Sequence, residues 1–216
     1  MTIMDIIQQF TGGMVITLEI FFVTLFTSLL LGLGLALVRM SKIKVLAFIA
    51  KVYISVMRGT PLMLQLLVVY FGPYFIFGMT LSSDSRLNAV LIGFAINYAA
   101  YFAEIYRAGI ESMSVGQYEA AQILGYSKAQ TFFKIILPQV FKRVLPPVTN
   151  ETITLVKDTS LAFTISVAEM FTVAKQIGAA QTSILPLMGA GIFYYIFNLV
   201  VASVMEGLEK KFSYYR

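Results

Sequence analysis

Nineteen consecutive residues, Ile20 to Val38, carry no charged side chain, and an apolar run of that length is enough to carry a helix across a bilayer. Pro61 to Met79 is a second such run, Leu87 to Ala103 a third that extends through Glu104 toward Arg107, and Ile184 to Met205 a fourth. Only 12% of the 216 residues are charged, about half the share of a soluble domain. A chain so poor in charge could not clothe a compact globule in polar surface, so lipid must be the solvent for much of it. The N-terminal MTIMDIIQQFTGG has no Lys or Arg, so it lacks the basic start of a secretory signal and the first apolar run is expected to stay in the mature protein.

A fifth span is expected over Val144 to Ala168, which has the right length but contains Glu151, Lys157 and Asp158. Orientation decides it. The segments Arg39–Lys51, Arg107–Arg143 and Lys210–Arg216 hold twelve of the sixteen Lys and Arg residues, while the other gaps hold only Arg86 and Lys175. Placing all three basic segments in the cytoplasm requires an odd number of crossings. The expected architecture is an all-α integral membrane domain over residues 1–216 with five spans, about 14–38, 56–78, 87–108, 144–168 and 184–205. Its N-terminus is outside, its C-terminus is cytoplasmic, and a cytoplasmic segment covers 109–143. The net charge of +5 follows from this distribution, so no nucleic-acid partner is implied.

The segment 109–143 reads as two short helices. Ser114 with Gln117, and Ser127 with Gln130, have capping-box spacing. Gly125 suits a left-handed end to the first helix, and Pro138 marks the end of the second. On pattern alone this could be an amphipathic hairpin on the membrane surface, with Phe132, Phe133 and Ile136 dipping into the interface.

Within EAAQILGYSKAQTFFKIILP, Glu119, Ala120, Ala121, Gly125, Ile135, Leu137 and Pro138 fall at the seven fixed positions of a spacing spread over twenty residues. The segment resembles the EAA motif of bacterial importer permeases of the ATP-binding-cassette class. RGTPLMLQL (Arg58 to Leu66), AYFAEIYRAGI and NETITLVKDTSL (Asn150 to Leu161) look like the branch that carries polar amino acids such as glutamine, histidine, arginine, glutamate and cystine. The resemblance covers roughly Arg58 to Glu169, and the first and last spans match only in hydropathy and position. It implies the type I importer permease fold in a bacterial inner membrane. The seven motif residues would form a coupling helix docked on a separate ATPase, two copies of which would bind ATP and magnesium. A second permease copy, identical or related, and an extracytoplasmic solute-binding protein are the other implied partners. No cofactor is expected in this chain, and no enzymatic activity.

Ionisable groups at bilayer depth cost about 2.5–3.5 kcal/mol each and tend to mark interior or functional positions. Lys157 and Asp158 lie about 20 Å into their span, counting from Val144 at about 1.5 Å per residue. They either neutralise one another or, with Thr159 and Ser160, contact an amino-acid zwitterion. Arg58 either snorkels to lipid phosphate or joins the pathway. Gln65, Asn97 and Asn150 line a pathway or bond between helices. Glu104 and Arg107 are expected to pair on one helix face, Glu19 to be interfacial, and Phe193, Tyr194, Tyr195 and Phe197 to pack.

The chain has no Cys and no His, which removes thiolate chemistry, the commonest general base and the commonest metal ligand. It contains no G-x-x-x-x-G-K-[ST] stretch, so it cannot cradle nucleotide phosphates in that way. A rival reading is an ion-coupled secondary amino-acid transporter using Asp158, Glu104 or Glu19; it leaves the EAA spacing without a reason. A Ser160–Lys157 dyad of a membrane enzyme has flanks that fit a permease better.

Overall fold

The computed structural model describes residues 3–80, 82 and 84–212, and within them every regular element is a helix. Met1, Thr2 and Arg216, which entered the reading of the termini, lie outside the described residues. Helix α1 (Ile3–Arg39) is followed by α2 (Lys44–Gly59), α3 (Leu62–Phe77) and α4 (Asp84–Glu111). The short α5 (Val115–Ile123) and α6 (Lys128–Gln130) lead through a π-helical turn (Thr131–Ile136) into α7 (Leu137–Asp158). A 3-10 stretch (Thr159–Ile165), α8 (Met170–Gln181) and α9 (Leu185–Phe212) complete the chain.

Helices α1, α4 and α9 are each long and apolar enough to cross a membrane, and α2 with α3 adds a fourth candidate if a bent pair counts as one span. The expected second span, 56–78, is broken. Its first residues belong to α2, and α3 leaves at 111° to it. Pro61 is the cause, because the residue before a proline is pushed out of the helical region, and Thr60 is extended at φ −124°, ψ 148°. The expected span 144–168 also changes character, since α7 ends at Asp158, the chain tightens to 3-10 geometry and Ser166 turns left-handed at φ 59°. Helix α8 was not expected at all.

The core is aromatic and aliphatic, with Phe21, Leu66, Phe94, Phe102, Leu155 and Phe197 drawn from α1, α3, α4, α7 and α9. Helices α1 and α4 approach closely because Gly32 faces α4; a Cβ there would sit 2.8 Å from Phe102 Cβ and 3.1 Å from the Ala99 carbonyl oxygen. Small residues at a crossing let backbones pack where lipid supplies no hydrophobic drive. Outward faces are the reverse of a soluble protein's: Phe26, Leu30, Phe75, Ile76 and Tyr195 are all more than 60% exposed. Such continuous apolar surface marks contact with lipid or another chain. Two of the buried hydroxyls turn back on their own helices, Thr17 to the Gly13 carbonyl at 3.0 Å and Thr152 to that of Val148 at 2.8 Å.

The segment between α4 and α7 departs from its expected form in three ways. Ser114 makes no side-chain cap, because Gln117 exchanges two amide hydrogen bonds with Gln139 instead, at 2.9 and 3.0 Å. Pro138 does not end a helix but follows directly on a π turn at the start of α7. The π turn before it lets residues 128–158 continue as one helical rod. Ile136 is fully buried with Met113, Val140 and Val144 rather than dipping into an interface. The other two expectations hold. Ser127 and Gln130 form a reciprocal capping box, and Gly125 is left-handed at φ 80°.

Candidate functional site

Three groups of side chains stand along α4 and α7. The first is the hairpin of α5 and the π turn. Helix α5 closes with a Schellman pattern, the Tyr126 N–H reaching the Ala121 carbonyl and the Gly125 N–H reaching that of Gln122, both at 3.0 Å, which only a left-handed residue at Gly125 permits without strain. Ala121 is buried, Ile135 half-buried, and Glu119, Ala120, Gly125, Leu137 and Pro138 are exposed. Around Glu119 the outer face carries Ile123 and Leu124, both more than 70% exposed, and Phe133 in the π turn is 65% exposed. The Gln117–Gln139 pair and the bonds from Arg143 Nη1 to Ser112 O and Oγ, at 2.9 and 3.1 Å, fix this hairpin to the base of α7.

The second group is at the far end of the same rod. Asp158, half-buried, accepts a 2.8 Å hydrogen bond from the hydroxyl of Tyr98 on α4, and Phe94 stacks on Tyr98 with parallel rings. Lys157 points the other way and is exposed. That divergence is what a 100° step per residue requires, and it leaves Asp158 bonded to Tyr98 instead of Lys157. Thr159 is buried, bonding the Val156 carbonyl at 2.8 Å with Tyr194 at 3.5 Å, and Ser160 bonds the Lys157 carbonyl at 2.8 Å. At bilayer depth a lysine facing lipid would be costly, so there its exposed side would be turned to water or to a second chain.

The third group surrounds the α2–α3 corner. Gln65 Nε2 donates to the carbonyls of Met57 and Thr60 at 3.0 and 3.1 Å, and Asn97 Nδ2 donates to Met57 O and to Gln65 Oε1 at 3.1 and 2.9 Å. Of the two roles open to them, the geometry has Gln65 and Asn97 bonding between helices and satisfying carbonyls freed by the bend. Arg58 beside them lies over the ring of Tyr101, 5.3 Å from its centroid, a favourable cation–π placement. Arg58 also lines a cavity of about 490 Å3 with Tyr101, Glu104, Arg143 and Glu151. Glu104 pairs with Arg107, as its spacing suggested, and Arg107 also holds Glu111.

Sequence reasoning passed over Tyr98, Tyr101 and Glu151 as site residues. All three are visible as polar groups in apolar stretches, yet only the packing of α4 against α7 and α2 brings Tyr98 to Asp158 and Tyr101 to Arg58, with Glu151 on the wall of the same cavity as Arg58. It also passed over Glu169, fully buried, which caps α8 by accepting from the N–H groups of Phe171 and Thr172, and which accepts from the Tyr194 hydroxyl at 2.9 Å.

A family model described as "Binding-protein-dependent transport system inner membrane component" matches residues 28–214. The chain is 42% identical over 205 residues to the probable amino-acid ABC transporter permease protein YckA of Bacillus subtilis (strain 168), covering 94% of this chain and 88% of that protein. It is 38% identical over 200 residues to the arginine transport system permease protein ArtQ of the same strain, covering 92% and 90%. Among solved structures, the crystal structure of an amino acid ABC transporter with histidines aligns at a TM-score of 0.87 and 33% identity, over 98% of this chain and all of that one.

Proposed function

Because the chain belongs to the family of binding-protein-dependent transport system inner membrane components, we propose that it is the permease subunit that carries polar amino acids inward through a bacterial cell membrane, driven by ATP hydrolysis on a separate subunit. The observation that carries this reading is the helical rod of residues 128–158. At one end it is clamped to the exposed hairpin, and at the other it ends in Lys157 and Asp158. A push on the hairpin is thereby delivered to the charged cluster without an intervening loop.

In this reading Glu119, Ala120, Ala121, Gly125, Ile135, Leu137 and Pro138 form or shape the surface offered to the ATPase. Two ATPase copies bind ATP and magnesium, and a solute-binding protein delivers the amino acid to a pair of permease chains. The five crossings are α1, the α2–α3 pair, α4, α7 with its 3-10 extension, and α9, with the N-terminus outside and the hairpin and C-terminus in the cytoplasm. A zwitterion crossing the bilayer centre must have both charges compensated. Lys157 supplies a cation facing the second chain and Asp158 an anion oriented by Tyr98, with Thr159 and Ser160 beside them. Arg58 lies further along the path, and Gln65 and Asn97 hold the corner that positions it.

The test is uptake into proteoliposomes containing the chain, its ATPase and its binding protein. Lys157→Ala and Asp158→Ala should each lower amino-acid uptake by about tenfold or more, the worth of one lost charge-assisted contact, while the ATPase still co-purifies. Parent-level uptake in both variants would place the site elsewhere. The ion-coupled reading is not favoured; uptake that follows an ion gradient and ignores ATP would restore it.

A further inference from the structure

The cavity between the end of α2, the last turns of α4 and the middle of α7 is about 490 Å3, within the range of small-molecule sites. It does not coincide with the Lys157–Asp158 cluster. Glu151, on its wall, is seven residues before Asp158 on α7, about 10 Å toward the hairpin end. Four charged side chains line it, and two are already committed: Glu104 to Arg107 and Arg143 to Ser112. The two that remain are of opposite sign. Arg58 rests over the Tyr101 ring, and Glu151 is half-buried. Their charges act on one another across the space, yet among the described residues neither forms an ion pair and Glu151 accepts no hydrogen bond. The rest of the wall includes Ile105, Ala108 and Pro147, which carry no charge.

A cation and an anion held apart across a small-molecule cavity are complementary to a ligand that carries both charges. We propose that this cavity is a second amino-acid site, a release station between the central cluster and the hairpin end of the pathway. Arg58 takes the α-carboxylate there and Glu151 the α-ammonium. The inference rests on the amino-acid reading above. Because Glu104 and Arg143 are held by other partners and the rest of the wall carries no charge, this station reads the zwitterion and is indifferent to whether the side chain is neutral, basic or acidic. Selection by side chain then belongs elsewhere, and the station lets any carried amino acid leave in two steps instead of one.

The experiment measures equilibrium binding of radiolabelled L-glutamine to the permease–ATPase complex in lipid nanodiscs without the binding protein. In an Asp158→Asn background, which disables the central cluster, glutamine binding should persist within about threefold. Adding Arg58→Gln or Glu151→Gln should weaken it by about tenfold or more, as expected for loss of a charge-assisted contact. In the same Asp158→Asn background, L-arginine and L-glutamate should compete within about fivefold of glutamine, whereas N-acetyl-L-glutamine and L-glutamine amide, each lacking one backbone charge, should not compete at about tenfold excess. Blocked analogues that compete as well as glutamine, or parent affinity in both charge-neutral variants, would overturn the proposal, as would the absence of glutamine binding. If a variant at Arg58 or Glu151 fails to co-purify with the ATPase, the analogue comparison in the Asp158→Asn background decides. ATP-driven uptake by the full complex with its binding protein is scored separately, so loss of the release station and loss of the amino-acid reading give different results.

Discussion

Replacing Gly125 tests the hairpin at its most sensitive point. Gly125 adopts φ 80°, and a Cβ added there would meet nothing within 4 Å, so crowding contributes nothing and only backbone conformation matters. Holding a residue with a Cβ in the left-handed region costs about 1–2 kcal/mol, and a β-branched residue is the least suited to it. At about 1.4 kcal/mol per factor of ten, the fraction of hairpins keeping the Schellman geometry should fall roughly fivefold to thirtyfold. Gly125→Val should therefore cut ATP-driven amino-acid uptake by about tenfold while leaving insertion and thermal stability near parent values, because the position is exposed and outside the core. Gly125→Asn is the matched control, since asparagine tolerates the left-handed region and should retain most of the activity. Initial uptake rates in proteoliposomes, with the thermal midpoint recorded on the same preparations, check both. Equal rates in the Val and Asn variants would refute the conformational argument.

Other consequences are sharper for being local. Gln117→Ala, Gln139→Ala and the double variant should show a coupling of about 1 kcal/mol in a double-mutant cycle on thermal stability, because each single change strands the other amide. Gly32→Leu, whose Cβ would sit 2.8 Å from Phe102 Cβ, should destabilise the α1–α4 crossing by about 1–3 kcal/mol, read as a lower thermal midpoint; an unchanged midpoint would mean that the helices do not cross so closely. In this Cys-free chain, Lys128→Cys and Lys175→Cys should react with an impermeant thiol reagent from opposite faces, and labelling from the same face would refute the five-crossing arrangement. Tyr98→Phe removes the 2.8 Å donor to Asp158 and should lower uptake by about fivefold or more, from a loss of about 1–3 kcal/mol. Combined with Asp158→Asn it should cost little extra, whereas additive losses would separate the two residues.

The helices of this chain are legible because lipid demands a simple pattern. Charge-free runs of 17 to 22 residues became the greater part of α1, α3, α4 and α9. The cues at Ser127 and Gly125 were readable because both act through neighbours within a few residues. Ser114 was misread for the opposite reason, since Gln117 has a competing partner 22 residues away at Gln139 that no local rule exposes. Pro138 was read as a stop because proline usually is one, but the π turn before it lets the helix continue. The α2–α3 bend could have been read from Gly59, Thr60 and Pro61, had the apolar run through Pro61 not masked it. At the site, Lys157 and Asp158 stood out as charges in an apolar stretch, yet Tyr98 as the partner of Asp158, sixty residues away, became visible only once α4 lay against α7.

The most direct measurement is the initial rate of radiolabelled amino-acid uptake by proteoliposomes holding this chain, its ATPase and its binding protein, with hydrolysable ATP on the ATPase side. Membranes carrying only a proton or sodium gradient, and membranes with a non-hydrolysable nucleotide, serve as the comparisons. Uptake that requires hydrolysable ATP and the binding protein, and that falls when the hairpin is altered at Gly125 or the cluster at Asp158, is the expected result. Uptake that proceeds on the gradient alone, or that is untouched by both changes, would contradict transport driven through the 128–158 rod.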